Sequence, residues 1–100
     1  MAKTTFNELI NSNKPVLIDF YADWCGPCKV FSPIIAEVKD ELGDNVRVVK
    51  IDVDKNESLS RKLKVMSIPT VMIFQNGKTI YSGQGVHTKD DLVNKLKPLL

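Results

Sequence analysis

Two cysteines, set as Cys25-Gly26-Pro27-Cys28, are the only thiols in this sequence of 100 residues. Side chains three positions apart are neighbours on a helix, so the two sulfurs can meet. The loop they would close is too short to stabilise a fold much, which leaves chemistry as their purpose. Cys25 follows an apolar run and stands where a long amphipathic pattern begins. Unpaired N–H groups and the helix dipole favour an anion at such a point, lowering the thiol pKa. Pro27 suits the first helical turn and keeps it stiff. A Cys25 thiolate can then attack a disulfide, and Cys28 can resolve the mixed disulfide that results.

Two other uses of the pair are open to the same residues. A zinc site needs four ligands, and His87 is the sole further soft donor in the chain. Inert, buried cysteines are the second alternative, against which the surface-prone Gly-Pro between them argues.

Asp19 and Lys50 are the next residues able to do chemistry. Asp19 interrupts the run Val16–Tyr21 on the face it shares with Leu17 and Tyr21, opposite Val16, Ile18 and Phe20. A desolvated carboxylate has a raised pKa and can accept a proton near neutrality. Lys50 lies on the following strand, on the face of Val46 and Val48, where its ammonium could pair with Asp19. A structural ion pair with no chemical role is the plainer alternative.

These groups need a scaffold, and the hydrophobic pattern supplies one. Thr5-Phe6-Asn7-Glu8 reads as a capping box opening a short helix that carries Phe6, Leu9 and Ile10. Val16–Tyr21 and Thr70–Gln75 are apolar on both faces and predict central strands. Between Cys28 and Leu42, the residues Val30, Phe31, Ile34, Ile35, Val38 and Leu42 recur at helical spacing, with Pro33 predicting a kink and Gly43 a stop. Val46–Val53 predicts a strand, Asp54–Leu63 a short helix, and Asn76-Gly77 a hairpin into an edge strand, Lys78–Ser82. A last helix runs from its cap at Thr88 to Leu96. The strand–helix–strand unit makes the first two strands parallel, and the hairpin makes the last two antiparallel. The fold class is α/β: a mixed, four-stranded central sheet with helices on both faces.

Composition bounds the rest. One hundred residues, 43% hydrophobic and 26% charged, make a single domain with a core. A net charge of +2 predicts no nucleic-acid or acidic-membrane partner. No apolar run approaches the roughly 20 residues of a membrane helix. Residues 1–8 lack a secretory leader pattern, so the cytosol is the expected compartment.

The segment Asp19 to Lys29, Asp-Phe-Tyr-Ala-Asp-Trp-Cys-Gly-Pro-Cys-Lys, closely resembles the active-site segment of thioredoxins. Lys50-Ile51-Asp52, Ser67-Ile68-Pro69-Thr70 and Asn76-Gly77 match that family in order and approximate spacing, so the likeness runs from Phe6 to Leu96. The resemblance implies a thioredoxin fold over residues 1–100. It makes Cys25 the exposed attacking thiol and Cys28 the buried resolving one. Asp19 becomes a buried carboxylate serving Cys28, with Lys50 its neighbour, and Pro69 a cis-proline beside the disulfide. The Ile68 backbone would pair with an extended substrate, and Trp24, Gly26, Pro27, Ile68 and Gly85 would form a flat apolar rim. Trp24 on its own could equally be a half-buried core aromatic.

Two departures from the family stand out. Tyr21 occupies a position where many relatives carry tryptophan. Residues 1–4 leave almost no room for the short first strand of the family, which is expected to be truncated or absent.

The function implied is that of a general dithiol reductant: a monomer taking electrons from a thioredoxin reductase and passing them to protein disulfides. The thiols carry the electron pair, so no cofactor is expected. A disulfide-forming oxidant or isomerase is the alternative within the same chemistry, and Gly-Pro between the cysteines resembles the reductant type. A binding module with idle thiols is the non-enzymatic alternative. His87 reads as an exposed loop residue, and Met66 as either a partner contact or loop packing.

Overall fold

Val16–Tyr21 forms β1, the strand on which the rest of the sheet is built. In the computed structural model, which describes residues 5–100, the other elements are α1 (Phe6–Ile10), α2 (Gly26–Leu42), β2 (Arg47–Asp52), α3 (Glu57–Lys62), β3 (Thr70–Gln75), β4 (Lys78–Gln84) and α4 (Lys89–Leu96). The expectation about a first strand falls on residues 1–4, outside the described residues.

The sheet order is β2-β1-β3-β4. β1 runs parallel to β2, with Asp19 opposite Lys50, and antiparallel to β3, with Asp19 opposite Val71. β3 and β4 pair antiparallel around Asn76-Gly77. Both turn residues have positive φ, 53° and 79°, the backbone a two-residue hairpin needs to match strand twist. Helices cover both faces. Leu17, Val71 and Ile73 pack against Phe31, Ile35 and Val38 of α2 and Leu92 and Leu96 of α4. Val16, Ile18, Phe20, Met72 and Phe74 form the opposite core, with Phe6 of α1 and Leu59 of α3 packed on it. β1 and β3 are buried on both faces because each lies between neighbours and under two helix layers.

Several boundaries differ from the sequence expectation. α2 starts two residues earlier, at Gly26, with Cys25 as its N-cap. The helix continues through Pro33, and Val30 is 61% exposed because the buried stripe is Phe31, Ile35, Val38 and Leu42. α3 begins at Glu57 and not at Asp54. The Asp52 carboxylate accepts from the Asp54 N–H, and Asn56 Nδ2 donates to the Asp52 carbonyl, so the chain spends 52–56 in a side-chain-bonded turn. β4 extends to Gln84, which pairs with Thr70.

Candidate active site

Cys25 sits at the end of β1 and the start of α2, where the chain turns sharply enough for its N–H to donate to the Ala22 carbonyl at 3.1 Å. As N-cap it accepts at sulfur a hydrogen bond from the Cys28 N–H, 3.2 Å away. Serine, threonine and aspartate usually cap helices this way. Here a sulfur occupies the place where an anion is favoured. Cys25 and Cys28 are joined as a disulfide, Cα to Cα 5.3 Å. The two are equally covered, 4% and 5% exposed, so the contrast between an exposed and a buried thiol does not hold in this oxidised form. Ala22 clusters with the pair, and Tyr21, Val53 and Ile68 pack against it.

The segment before β3 brings backbone up to the sulfur. The Ile68–Pro69 peptide bond is cis, and the Ile68 carbonyl oxygen lies 3.8 Å from Cys25 Sγ. Gly85, with φ of +87°, donates its N–H to the Pro69 carbonyl at 2.8 Å. Gly26 and Pro27 are exposed beside the disulfide. Trp24 is 70% exposed, which rules out a core role, and its indole N–H donates to Asp54 at 2.8 Å. A cleft of about 320 Å³ opens between Trp24, Val53, Val65, Met66, Ser67 and Ile68, and Met66 projects with 84% exposure. Val53, Val65 and Asp54 escaped the sequence reading. Nothing in their local pattern separates them from ordinary strand-end and loop residues.

Asp19 is fully buried, and neither carboxylate oxygen has a hydrogen-bond partner among the described residues. Burial pushes its pKa from an ordinary 3.8 up to about 6, with the Lys50 charge pulling the other way. The direct Asp19–Lys50 pair expected from the sequence is not formed. Lys50 is exposed, its Nζ donates to Ser32 Oγ at 2.8 Å, and it stands 4.9 Å from the centre of the Tyr21 ring. The long side chain follows water outward, where a hydroxyl and an aromatic face receive it. A cavity of about 160 Å³ lined by Cys28, Tyr21, Ser32 and Lys50, among others, lies on this side.

His87 also departs from expectation. It is 8% exposed, with one ring nitrogen on the Tyr81 hydroxyl and the other on the Gly85 carbonyl. Phe31, distant in sequence, and Tyr81, six residues earlier on β4, converge on it and shut out water. Both nitrogens are engaged, so it has no lone pair free to join the cysteines on a metal.

A four-stranded sheet with a sulfur pair at the N-terminus of a helix, facing a cis-proline segment, defines a thioredoxin-fold protein with a redox-capable disulfide. The thioredoxin family model matches residues 1–98. Chloroplastic thioredoxin Y of Oryza sativa is 42% identical over 98 residues, 97% of this chain and 58% of that protein. A bifunctional thioredoxin reductase/thioredoxin of Mycobacterium leprae is 40% identical over 95 residues, 95% of this chain and 21% of that protein. The chain thus spans less than two thirds of the length of these relatives. A mutant thioredoxin from Halobacterium salinarum superposes with a TM-score of 0.86 at 32% identity, covering 98% of this chain and 85% of that one. The chain belongs to the thioredoxin family.

Proposed function

We propose that this protein is a thiol–disulfide oxidoreductase working as a general reductant of protein disulfides. The observation that carries the reading is the placement of Cys25 Sγ, which accepts the Cys28 N–H at the helix start and faces the Ile68 carbonyl. A helix N-terminus stabilises a thiolate, and an adjacent free backbone edge holds an extended substrate.

In the reduced protein the Cys25 thiolate attacks one sulfur of a substrate disulfide. A Cys25–substrate bond forms, the substrate S–S bond breaks, and the first substrate thiolate leaves to take a proton from solvent. Asp19, buried without a partner and with its pKa raised to about 6, accepts the Cys28 proton in this reading. The Cys28 thiolate then attacks Cys25 Sγ, the intramolecular disulfide forms as the Cys25–substrate bond breaks, and the second substrate sulfur leaves as a thiolate that takes the proton held by Asp19. Two electrons pass from the dithiol to the substrate. Lys50 biases the Asp19 charge from a distance. Trp24, Gly26, Pro27, Ile68, Pro69 and Gly85 form the receiving surface, with the cleft beside Trp24 and Ile68 taking a substrate side chain.

Two electrons from a thioredoxin reductase restore the dithiol in this reading, and the reductase joined to its thioredoxin in the Mycobacterium leprae relative supports that pairing. The chemistry needs no cofactor, because the sulfurs hold the electrons. Residues 1–100 act as one domain and as a monomer, since one chain supplies both thiols, the proton acceptor and the rim. A chain whose only two cysteines form the redox pair suits a reducing compartment, and we place it in the cytoplasm. Among the described residues no helix is long and apolar enough to cross a membrane.

Replacing Cys28 with serine tests the mechanism. Cys28→Ser is expected to lose turnover and to hold substrate proteins as stable mixed disulfides on Cys25, seen by non-reducing electrophoresis and mass spectrometry. Absence of adducts, together with failure of the unsubstituted protein to reduce oxidised insulin, would overturn the reading. Retention of partners by a Cys25→Ser/Cys28→Ser variant would favour the binding module instead.

A further inference from the structure

His87 lies between β4 and α4, immediately before the α4 N-cap Thr88. A single buried histidine in a core is usually filling space, so its partners decide whether it does more. Its ring stacks on Phe31 with centroids 6.1 Å apart. Phe31 is three residues beyond Cys28 on α2. Nδ1 is 2.8 Å from the Gly85 carbonyl oxygen, and Nε2 is 2.7 Å from the Tyr81 hydroxyl. A carbonyl only accepts, so Nδ1 carries the hydrogen, and in the neutral tautomer this leaves Nε2 to accept from Tyr81.

Residue Gly85 is therefore held on both sides, through the peptide unit before it and the one after it. Its N–H is fixed to the Pro69 carbonyl and its C=O to His87. Gly85 has a positive φ, a conformation that glycine adopts without a steric penalty but need not keep. Its two hydrogen bonds select one geometry from that freedom. Space is also cleared for the pair that does the holding. A methyl group at Gly83 would collide with the Tyr81 hydroxyl and come within 2.8 Å of His87 Nε2.

We infer that His87 is a positioning residue: by donating Nδ1–H to the Gly85 carbonyl it clamps the Gly85 peptide against Pro69 and presets the edge that receives an extended polypeptide substrate. The inference rests on the function proposed above and names a residue that sets substrate affinity without touching substrate. The reacting sulfurs are untouched by the clamp, so loosening it weakens binding of a protein disulfide and leaves sulfur chemistry alone.

Amide substitutions separate the two ring nitrogens. In His87→Asn the side-chain NH₂ falls near the place of Nδ1 and keeps the Gly85 bond while losing Tyr81. In His87→Gln the amide reaches the place of Nε2, keeping Tyr81 and releasing Gly85. Tyr81→Phe removes the outer bond alone. The readouts are KM and kcat with oxidised insulin, the reaction rate with the small disulfide dithiobis(nitrobenzoate), and hydrogen exchange of the Gly85 amide. His87→Gln is expected to raise KM for insulin about two- to tenfold, the range spanned by one neutral hydrogen bond. Its kcat and small-disulfide rate stay at the unsubstituted level, and Gly85 exchange accelerates. His87→Asn and Tyr81→Phe keep KM near the unsubstituted value. Equal KM in His87→Gln and His87→Asn, or parallel loss on both disulfides, would overturn the clamp. If the unsubstituted protein reduces neither disulfide, the proposed function fails, while Gly85 exchange in the two variants still decides whether His87 holds the peptide.

Discussion

Asp19 and His87 are two buried polar side chains in one small core, and they are buried on opposite terms. Asp19 has no exposure and no hydrogen-bond partner at either oxygen. His87 is nearly as deep and has a partner at both nitrogens. An unpaired buried carboxylate opposes folding whenever it is charged. A fully paired imidazole fixes the backbone around it and leaves no polar atom wanting. The difference fits the proton role proposed for Asp19 and the positioning role proposed for His87. Burial without partners is a standing cost, and a buried group perturbed in this way is a candidate for function.

Replacing Asp19 should produce the largest effect. For an acid whose pKa is higher folded than unfolded, the native state holds more protons between the two values, so stability falls as pH rises through that window. Here the window runs from about 4 to about 6. A rise from 3.8 to about 6 corresponds to about 3 kcal/mol, absent below about pH 4 and fully felt above about pH 6. Asp19→Asn should therefore be more stable than the unsubstituted protein by about 3 kcal/mol at pH 8 and about equal to it at pH 3.5, by urea unfolding at both values. The same variant should resolve mixed disulfides more slowly at pH 7, by about a hundredfold or more, as loss of the proposed proton acceptor predicts. Equal stabilisation at both pH values would show that the gain has nothing to do with charge.

On the His87 side, the sharpest steric test is Gly83→Ala. The new methyl would press on the Tyr81 ring and on Nε2, and Tyr81 cannot swing freely while it is bonded to His87 and covered by Lys95, 4.8 Å above the ring centre. Overpacking of this kind costs about 1–3 kcal/mol. Introducing Gly83→Ala into a Tyr81→Ala background should cost much less, and the double-mutant cycle measured by thermal unfolding gives the coupling. Additive losses would mean that Gly83 is small for some other reason.

Legibility in the sequence divides along the same line. Cys25, Cys28 and the strands β1 and β3 can be read directly, because spacing and apolar runs are local signals. The hairpin at Asn76-Gly77 is readable because both residues favour the positive φ they adopt. The burial of Asp19 follows from its position inside an apolar strand. What a side chain reaches after folding cannot be read. The strand pattern puts Lys50 on Asp19, whereas it bonds Ser32, a residue on α2 that no strand pattern brings near it. His87 reads as exposed because Phe31 and Tyr81 meet it only in three dimensions. Both errors concern polar groups whose partners come from different elements.

The smallest expected effect bears on how isolated Asp19 is. Among the described residues Lys50 is the one charge that lowers the Asp19 pKa, yet its ammonium is exposed and tied to Ser32. An exposed charge is well screened, so its influence on Asp19 amounts to less than about 1 kcal/mol. Lys50→Met should therefore raise the Asp19 pKa further and lower stability at pH 8 slightly, leaving it unchanged at pH 3.5, where folded Asp19 is protonated with or without Lys50. Carboxyl carbon NMR on the oxidised protein reads this cleanly, since neither cysteine then titrates. Ser32→Ala should act in the opposite sense, because an untethered ammonium is free to approach the carboxylate. If Lys50→Met moved the Asp19 titration as strongly as burial itself does, Asp19 would count as half of an ion pair, and its contrast with His87 would dissolve.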